Sequence, residues 1–174
     1  PLTIPLTNEV IVDGEVICTY DDFEEFRNDY KNPRNFASGS IRLLDSRESA
    51  QRKLSFVAWD CVKGIERQNL SSKLLELDHL GFFIVPFVLI PVNTTDKIHH
   101  SIILIQDNAR SFGYPIDGVV FKYDDCAYYN SLGATEHHSR GGLAFKFYDE
   151  KIETNLRDIE WSMGKTGQLT PIAI

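Results

Sequence analysis

The sequence lacks several features that would place it in a membrane, secreted or metal-binding class. No apolar run reaches the ~18 residues of a membrane-spanning helix, and the start, PLTIPLTNEV, has two prolines and no basic signal-peptide segment. The three cysteines, Cys18, Cys61 and Cys126, show no CxxC spacing, which argues against a zinc site and a disulfide framework. We therefore expect a protein of the reducing cytoplasm with no membrane partner.

Basic residues are also in deficit. The 174 residues include 18 Lys and Arg against 25 Asp and Glu, which gives a net charge of -7. This balance argues against a uniformly basic nucleic-acid binder, although a local basic patch can still bind phosphate within an acidic protein. With 43% hydrophobic residues the chain can form a core, and its length favours one domain, or one domain and a piece of another.

The apolar periodicity changes irregularly between that of strands and that of helices. The predicted strands are 9–18, 54–62, 82–90, 114–123 and 141–149, followed by a strand pair within 160–174. The predicted helices are 20–31, 71–82, 94–113 and a short one at 124–130, and residues 32–53 are predicted to be a loop with one short helical turn. The strands at the end of the chain follow one another without a helix between them, and the spacing of the others is irregular, which favours an α+β fold over a regular βαβ arrangement.

Three predicted strands carry an interior charged residue that could serve a ligand: Glu15, Lys122 and Lys146. A single residue of this kind most often lies on a solvated face of a sheet. In LAFKF, however, strict alternation places Lys146 on the same face as the small Ala144, which leaves room for a ligand beside an ammonium group. A phosphate would be the natural partner of that group.

Asp117 precedes the apolar run of the predicted strand 114–123. It lies five residues before Lys122, so a regular strand would direct the two side chains to opposite faces. A bulge at Gly118 would change this parity and could bring both into one cleft. The sequence leaves both arrangements open.

Residues 32–53 are far more basic than the rest of the chain. Arg34, Arg42, Arg47 and Arg52 lie here among Asn, Ser and Gly residues. Guanidinium groups and exposed backbone suit an anion, so the segment could contact phosphate. A solvated loop explains the same composition equally well.

Two further patterns fail on inspection. GKTG at Gly164 resembles the end of a phosphate-binding P-loop, but that motif requires a glycine five residues earlier, where Ile159 stands. The histidines occur as adjacent pairs, at 99–100 and 137–138, without the i, i+4 spacing of a helical metal site. We predict no metal-ligating residues in the chain.

Seven blocks occur in order along nearly the whole chain: VDGEV, NPRNFASGSIRLLD, FVAWD, LGFFIV, IDGVVFK, AFKF and MGKTGQLTPIA. Together they resemble the adenylation domain of the bacterial NAD-dependent DNA ligases. The resemblance implies a nucleotidyltransferase fold, of the ATP-grasp-like ligase type, in which two packed antiparallel sheets with outer helices hold AMP between them.

The resemblance also implies a chemistry. A lysine attacks the α-phosphate of NAD and retains AMP as a phosphoramidate. The AMP then passes to the 5′-phosphate of nicked double-stranded DNA, where the 3′-hydroxyl displaces it with the help of Mg²⁺. Such chemistry depends on positioning and charge neutralisation, which suits lysines fixed on rigid strands.

Site residues follow from the same resemblance. It implies that Glu15 lies at the ribose side of the nucleotide and that Lys122 and Lys146 lie at its base and phosphate. Asp117 would lie near the metal or a lysine partner. The resemblance further implies that the AMP phosphate or the nicked strand meets two arginines, Arg34 and Arg42.

The family's nucleophilic lysine is missing from this sequence. That lysine sits in a KxDG motif, but none of the nine lysines here is followed by x-Asp-Gly, and Ile11 and Pro115 stand where the two DG pairs would require it. The start at Pro1 and the end within LTPIAI lead us to expect a piece of a longer protein that is inactive alone. We expect a monomer with the C-terminal part of the adenylation domain at 1–155 and the first strands of an oligonucleotide-binding barrel, the OB-fold, at 156–174.

Two other functions stay open at this point. A non-catalytic, ligase-like protein that binds nucleotide or DNA would also lack the nucleophile. An ATP-dependent ligase or a capping-type nucleotidyltransferase would share the fold, but the NPRN and GKTGxLTP blocks argue against it.

Overall fold

The computed structural model describes residues 9–91, 94–136, 138–147 and 153–174. The strands are β1 (Ile11–Ile17), β2 (Ser55–Lys63), β3 (Phe83–Ile84), β4 (Gly118–Lys122), β5 (Gly142–Lys146), β6 (Ile159–Met163) and β7 (Leu169–Ala173). The helices are α1 (Tyr20–Phe23), α2 (Pro33–Ile41), α3 (Ser46–Gln51), α4 (Leu70–His79), α5 (Thr95–Ser111) and α6 (Cys126–Ser131). The mixture of small sheets and helices confirms the predicted α+β class.

The first sheet has the order β1-β2-β3. Strand β1 runs antiparallel to β2, and the register shifts between Asp13 and Gly14. A Cβ atom on Gly14 would lie 2.6 Å from the carbonyl oxygen of Val57, so the backbones approach closely at this point. A glycine within a strand often marks such a bulge or close approach, because it has no side chain to obstruct the neighbouring backbone.

Strand β3 departs from the expected antiparallel arrangement, because it pairs with β2 in parallel. Helix α4 lies between β2 and β3 along the chain and forms the crossover that a parallel pair requires. The strand predicted at 82–90 is also much shorter than expected. Pro86 has no N–H to donate, and ladder-type pairing with β2 ends at the bond from Val85 N to Ala58 O, 2.9 Å.

Two apolar clusters hold this part of the chain. In the first, Leu74 and Leu77 of α4 pack on Ala58 and Cys61 of β2, as the helical spacing of residues 71–82 predicts. In the second, Phe36 of α2 is fully buried against aromatic rings from the preceding segment, Phe23, Phe26 and Tyr30. The first cluster supports the sheet, and the second holds α2 beside β1.

The prediction of a loop at 32–53 is wrong, because this segment contains helices α2 and α3. The side chain of Asn32 accepts a hydrogen bond from Asn35 N at 2.8 Å and caps α2, and Pro33 occupies the first helical position. Asp45 caps α3 in the same way through Arg47 N, 2.8 Å. These helices contain few apolar residues, so their capping residues are the main feature of the sequence that indicates them.

Two predicted helices also differ in extent. The segment 20–31 forms only α1 and a 3₁₀ turn at Glu24–Phe26. Helix α5 is present as predicted and ends at Ser111, and Ala109 is buried on its inner face. Phe112, the residue that caps the C-terminal end of α5, is 59% exposed because it lies beyond the last helical turn.

The remaining strands form two sheets of two strands each. Strands β4 and β5 pair with each other, and so do β6 and β7. Every residue of β6 and β7 is exposed. The predicted strand pair at the end of the chain is therefore present, while its assignment to an oligonucleotide-binding barrel and the boundary at 155 stay predictions. Within the described ranges, the longest and most apolar helices fall short of what crossing a membrane requires.

Candidate functional site

The sheet formed by β4 and β5 places both strand lysines on one face. The register pairs Lys122 with Gly142 and Lys146 with Gly118, and directly opposite residues of an antiparallel pair share a face. Between them lie Val120, which is 61% exposed, and the exposed Ala144. We call these six residues the lysine face: Gly118, Val120, Lys122, Gly142, Ala144 and Lys146.

The lysine face has the form of a shallow floor with a cation at each end. Along the strand direction the two lysines are four positions apart, which separates their Cα atoms by about 13 Å at ~3.3 Å per residue. Each lysine lies opposite a glycine, so the backbone there is not covered by a second side chain. A flat group could lie on the floor with anionic groups near one end.

An ion-pair chain lies at the Lys146 end of this face. The Nζ atom of Lys146 donates a hydrogen bond to Asp117 Oδ2 at 2.7 Å, and Arg34 Nη1 lies 3.6 Å from the same oxygen. The hydrogen bond from Lys146, together with the charges of Lys146 and Arg34, holds the pKa of Asp117 below its usual value, although partial burial opposes the shift. Asp117 therefore stays ionised and pairs with the ammonium group of Lys146.

The bulge that the sequence left open at Gly118 is not present. The pairing runs without a shift from Gly118 to Lys122. Asp117 lies just before the strand, where its carbonyl oxygen accepts a hydrogen bond from Phe147 N at 2.9 Å, and its carboxylate reaches the diagonal neighbour Lys146. The parity rule fails for Asp117 because it holds only within the strand.

An open groove of about 390 Å³ lies between β1 and α2, and we call it the cationic groove. Its lining residues are Gly14, Glu15, Val16, Arg34, Ser38, Ile41 and Arg42. Arg34 and Ser38 lie one turn apart on α2, and Arg42, four residues after Ser38, is its C-cap residue, so all three lie along the same side of the helix. The predicted residues Glu15, Arg34 and Arg42 therefore lie together, with two guanidinium groups and one carboxylate.

Arg34 connects the cationic groove to the lysine face, because it lines the former and pairs with Asp117 beside the latter. Five of the six predicted residues thus form one continuous set at the Lys146 end: Glu15, Arg34, Arg42, Asp117 and Lys146. Lys122 lies at the other end, where its Nζ atom is 5.9 Å from the ring centroid of Tyr129. Sequence reasoning did not identify Tyr129, because its contact with Lys122 is set by tertiary structure.

The basic run at 32–53 does not act as one surface. Arg47 pairs with Asp45, the cap of its own helix, at 3.1 Å and is 89% exposed. The side chain of Arg52 is only 16% exposed, and its guanidinium lies 5.2 Å from the ring centroids of both Phe26 and Phe36. The prediction that Arg52 extends a phosphate-contacting run is therefore wrong, since its charge is held against the aromatic cluster.

The arrangement suits an anion that carries a flat group. Guanidinium and ammonium groups from α2 and β5 are the strongest donors for phosphate oxygens, and the floor of Val120 and Ala144 is apolar. Throughout the described ranges, no three His, Cys, Asp or Glu residues lie close enough to hold a metal ion.

Comparison with known proteins gives the family. The model of the NAD-dependent DNA ligase adenylation domain matches residues 1–150. The DNA ligase of Lachnoclostridium phytofermentans is 36% identical over 185 residues, which cover 100% of this chain and 28% of that ligase. The DNA ligases of Ruminiclostridium cellulolyticum and Chlamydia trachomatis serovar D are 37% and 33% identical and cover 100% and 99% of the chain.

The chain spans about 28% of the length of these curated relatives. The family match over residues 1–150 confirms the resemblance that the sequence blocks indicated. The chain belongs to the adenylation-domain family of the NAD-dependent DNA ligases.

Proposed function

We propose that this chain is the nucleotide-holding part of an NAD-dependent DNA ligase that seals nicks in double-stranded DNA during replication and repair. One observation carries the proposal: Arg34 of α2 and Lys146 of β5 converge on Asp117, between the cationic groove and the lysine face. Widely separated segments thus bring cations to one place, as transfer of an adenylate requires.

The residues suggest how AMP would be held. Lys146, Arg34 and Arg42 supply positive charge for the phosphate of AMP, and the cations offset charge that develops during its transfer. Asp117 accepts a hydrogen bond from Lys146, which supports the lysine-partner alternative for this carboxylate.

The rest of the nucleotide would occupy the lysine face and the adjoining groove. The floor between the two lysines accepts the base, with Lys122 at its far end, and Glu15 accepts hydrogen bonds from the ribose hydroxyls. Carboxylates are suitable acceptors for such hydroxyls.

The chain needs further parts to act. No KxDG lysine is present in the sequence, so we propose that the full-length protein supplies the nucleophile from outside these 174 residues. Mg²⁺ would assist the transfer by offsetting negative charge on the phosphate. We further propose that the protein is a cytoplasmic monomer, that residues 1–155 belong to the adenylation domain, and that 156–174 begin an OB-fold.

The test is adenylation of the full-length protein that contains this chain. It is incubated with NAD or with ATP, each labelled in its adenylate group, and the label on the protein is measured after denaturing electrophoresis. We expect label from NAD alone, because the NPRN and GKTGxLTP blocks are those of the NAD-dependent family. Label from ATP alone would contradict the proposal that NAD is the adenylate donor. No label from either nucleotide would favour a non-catalytic nucleotide-binding protein, which the missing KxDG motif also allows.

A further inference from the structure

Asp124 joins two distant segments of the chain through its carboxylate. Its Oδ1 atom accepts a hydrogen bond from Ser71 N at 2.8 Å, and its Oδ2 atom accepts from Ser71 Oγ and from Asn69 Nδ2, both at 3.0 Å. Ser71 is 8% exposed. These bonds span more than fifty residues of sequence, so they fix tertiary structure and not a local turn.

The carboxylate acts as the cap of α4. The residue at the cap position, Asn69, makes no side-chain capping bond to its own helix. The first N–H groups of a helix need acceptors, and a carboxylate at that end also interacts favourably with the helix dipole. Asp124 supplies both from a remote segment, so the start of α4 and the end of β4 hold each other in place.

Backbone hydrogen bonds reinforce this junction on both sides of Asp124. Leu70 N donates to Asp124 O at 2.8 Å, and Cys126 N donates to Gln68 O at 2.9 Å. The junction therefore has two main-chain bonds and three carboxylate bonds. Without the carboxylate, the main-chain bonds alone would allow more variation in its geometry.

The junction lies beside Lys122, the last residue of β4. Asp125, directly after Asp124, caps α6 by accepting from Tyr128 N at 2.7 Å, and α6 carries the Tyr129 ring that lies against the Lys122 ammonium. The position of Asp124 thus sets both the end of the strand and the start of the helix that flank Lys122.

We propose that Asp124 is a positioning residue for the nucleotide site. It fixes the far end of the lysine face to α4 and thereby to the first sheet, and so it sets where Lys122 meets the nucleotide. This inference rests on the proposed function of the lysine face. The Lys146 end of β4 has only the exposed pair of Arg34 with Asp117 as its link to α2, whereas the Lys122 end has the bonds of Asp124.

The test compares nucleotide affinity among variants of the full-length protein. The variants are Asp124→Asn, Lys122→Ala and the double variant, with NAD and AMP as probes in titration calorimetry, well below the unfolding temperature of every variant. We expect Asp124→Asn to weaken binding about tenfold, as misplacing one charged contact should. We also expect it to cost nothing further in the Lys122→Ala background, because it acts through Lys122.

A stability control separates positioning from folding. Leu77→Val destabilises the same helix from the core, since Leu77 is fully buried, but leaves the junction intact. We expect its affinity to stay within about twofold of the parent protein's. The inference would be overturned if Asp124→Asn left nucleotide affinity unchanged, or if its loss of affinity added fully to that of Lys122→Ala. Failure of the proposed function gives a different result, in which neither lysine variant, Lys122→Ala nor Lys146→Ala, changes nucleotide affinity.

Discussion

Replacing Lys146 with alanine should abolish adenylation while leaving the fold intact. The side chain lies on the exposed lysine face, and its amine pairs with Asp117 at 2.7 Å, with 68% of the lysine side chain and 57% of the aspartate side chain exposed. Alanine keeps the strand backbone and the pairing with Gly118. The substitution removes one positive charge, and Arg34 remains as a cation 3.6 Å from the carboxylate of Asp117.

The expected magnitudes differ for folding and for binding. An exposed ion pair contributes only about 0–1 kcal/mol to stability, and the remaining Arg34 reduces the cost of leaving Asp117 unpaired. A hydrogen bond from a charged group to a phosphate contributes about 1.5–3 kcal/mol, which corresponds to about a 10- to 100-fold loss of nucleotide affinity. Adenylation should fall further, because charge on the phosphate is stabilised most in the transition state.

Lys63 offers a matched control for this experiment. It pairs with Glu9 at 2.6 Å, with 58% and 69% of the two side chains exposed, but at the end of β2 outside the cationic groove and the lysine face. Lys63→Ala and Lys146→Ala should therefore change the urea unfolding midpoint similarly, and only Lys146→Ala should lose the label transferred from NAD. A large loss of stability in Lys146→Ala with adenylation preserved would refute the assignment of Lys146 to the nucleotide.

Two further predictions concern the backbone of β1 and the ionisation of Asp117. Gly14→Ala should lower the free energy of unfolding by about 1–3 kcal/mol, because the added Cβ would meet the carbonyl oxygen of Val57 at 2.6 Å. Gly164→Ala, where the nearest atom is 3.7 Å away, should be neutral in the same urea titration, and equal effects would contradict the steric account. The lowered pKa of Asp117 means that its contribution to stability is complete above its ordinary pKa of about 3.9 and is lost as the pH falls through the lowered value. The small stability difference between the parent protein and Asp117→Asn should therefore shrink from about pH 5 to about pH 3, and a constant difference would exclude the ion pair as its source.

Periodicity predicted the elements that form the main apolar cluster. Leu74 and Leu77 recur at helical spacing, and the β-branched residues of β1 and β2 mark strands, so these segments were identified from local pattern alone. Apolar periodicity does not predict helix α2, because its main apolar residues, Phe36 and Ala37, are adjacent and do not recur at helical spacing. The cap at Asn32 followed by Pro33 was the usable signal, and it would have placed Arg34 and Arg42 on one helical face.

The remaining errors come from tertiary contacts that no local pattern contains. Arg52 belongs to a basic run by sequence, yet aromatic rings from two other elements surround its guanidinium and remove it from the phosphate surface. The Asp117–Lys146 pair joins residues 29 apart in sequence, across the two strands of the β4–β5 sheet. Sequence blocks identified both residues through the family, but the partner of Asp117 followed only from the register of β4 and β5.

The link through Arg34 is better suited to ligand exchange than to holding the fold. Its distance of 3.6 Å from Asp117 and the 75% exposure of its side chain make the pair weak, so an arriving phosphate can replace the carboxylate at small cost. Lys146 is similarly exposed, whereas the junction at Asp124 has three short bonds beside a buried serine. Nucleotide binding should therefore rearrange side chains at the Lys146 end and leave the Lys122 end in place. The rigid end would then set the position of the base, while the mobile charges at the other end follow the phosphate through transfer.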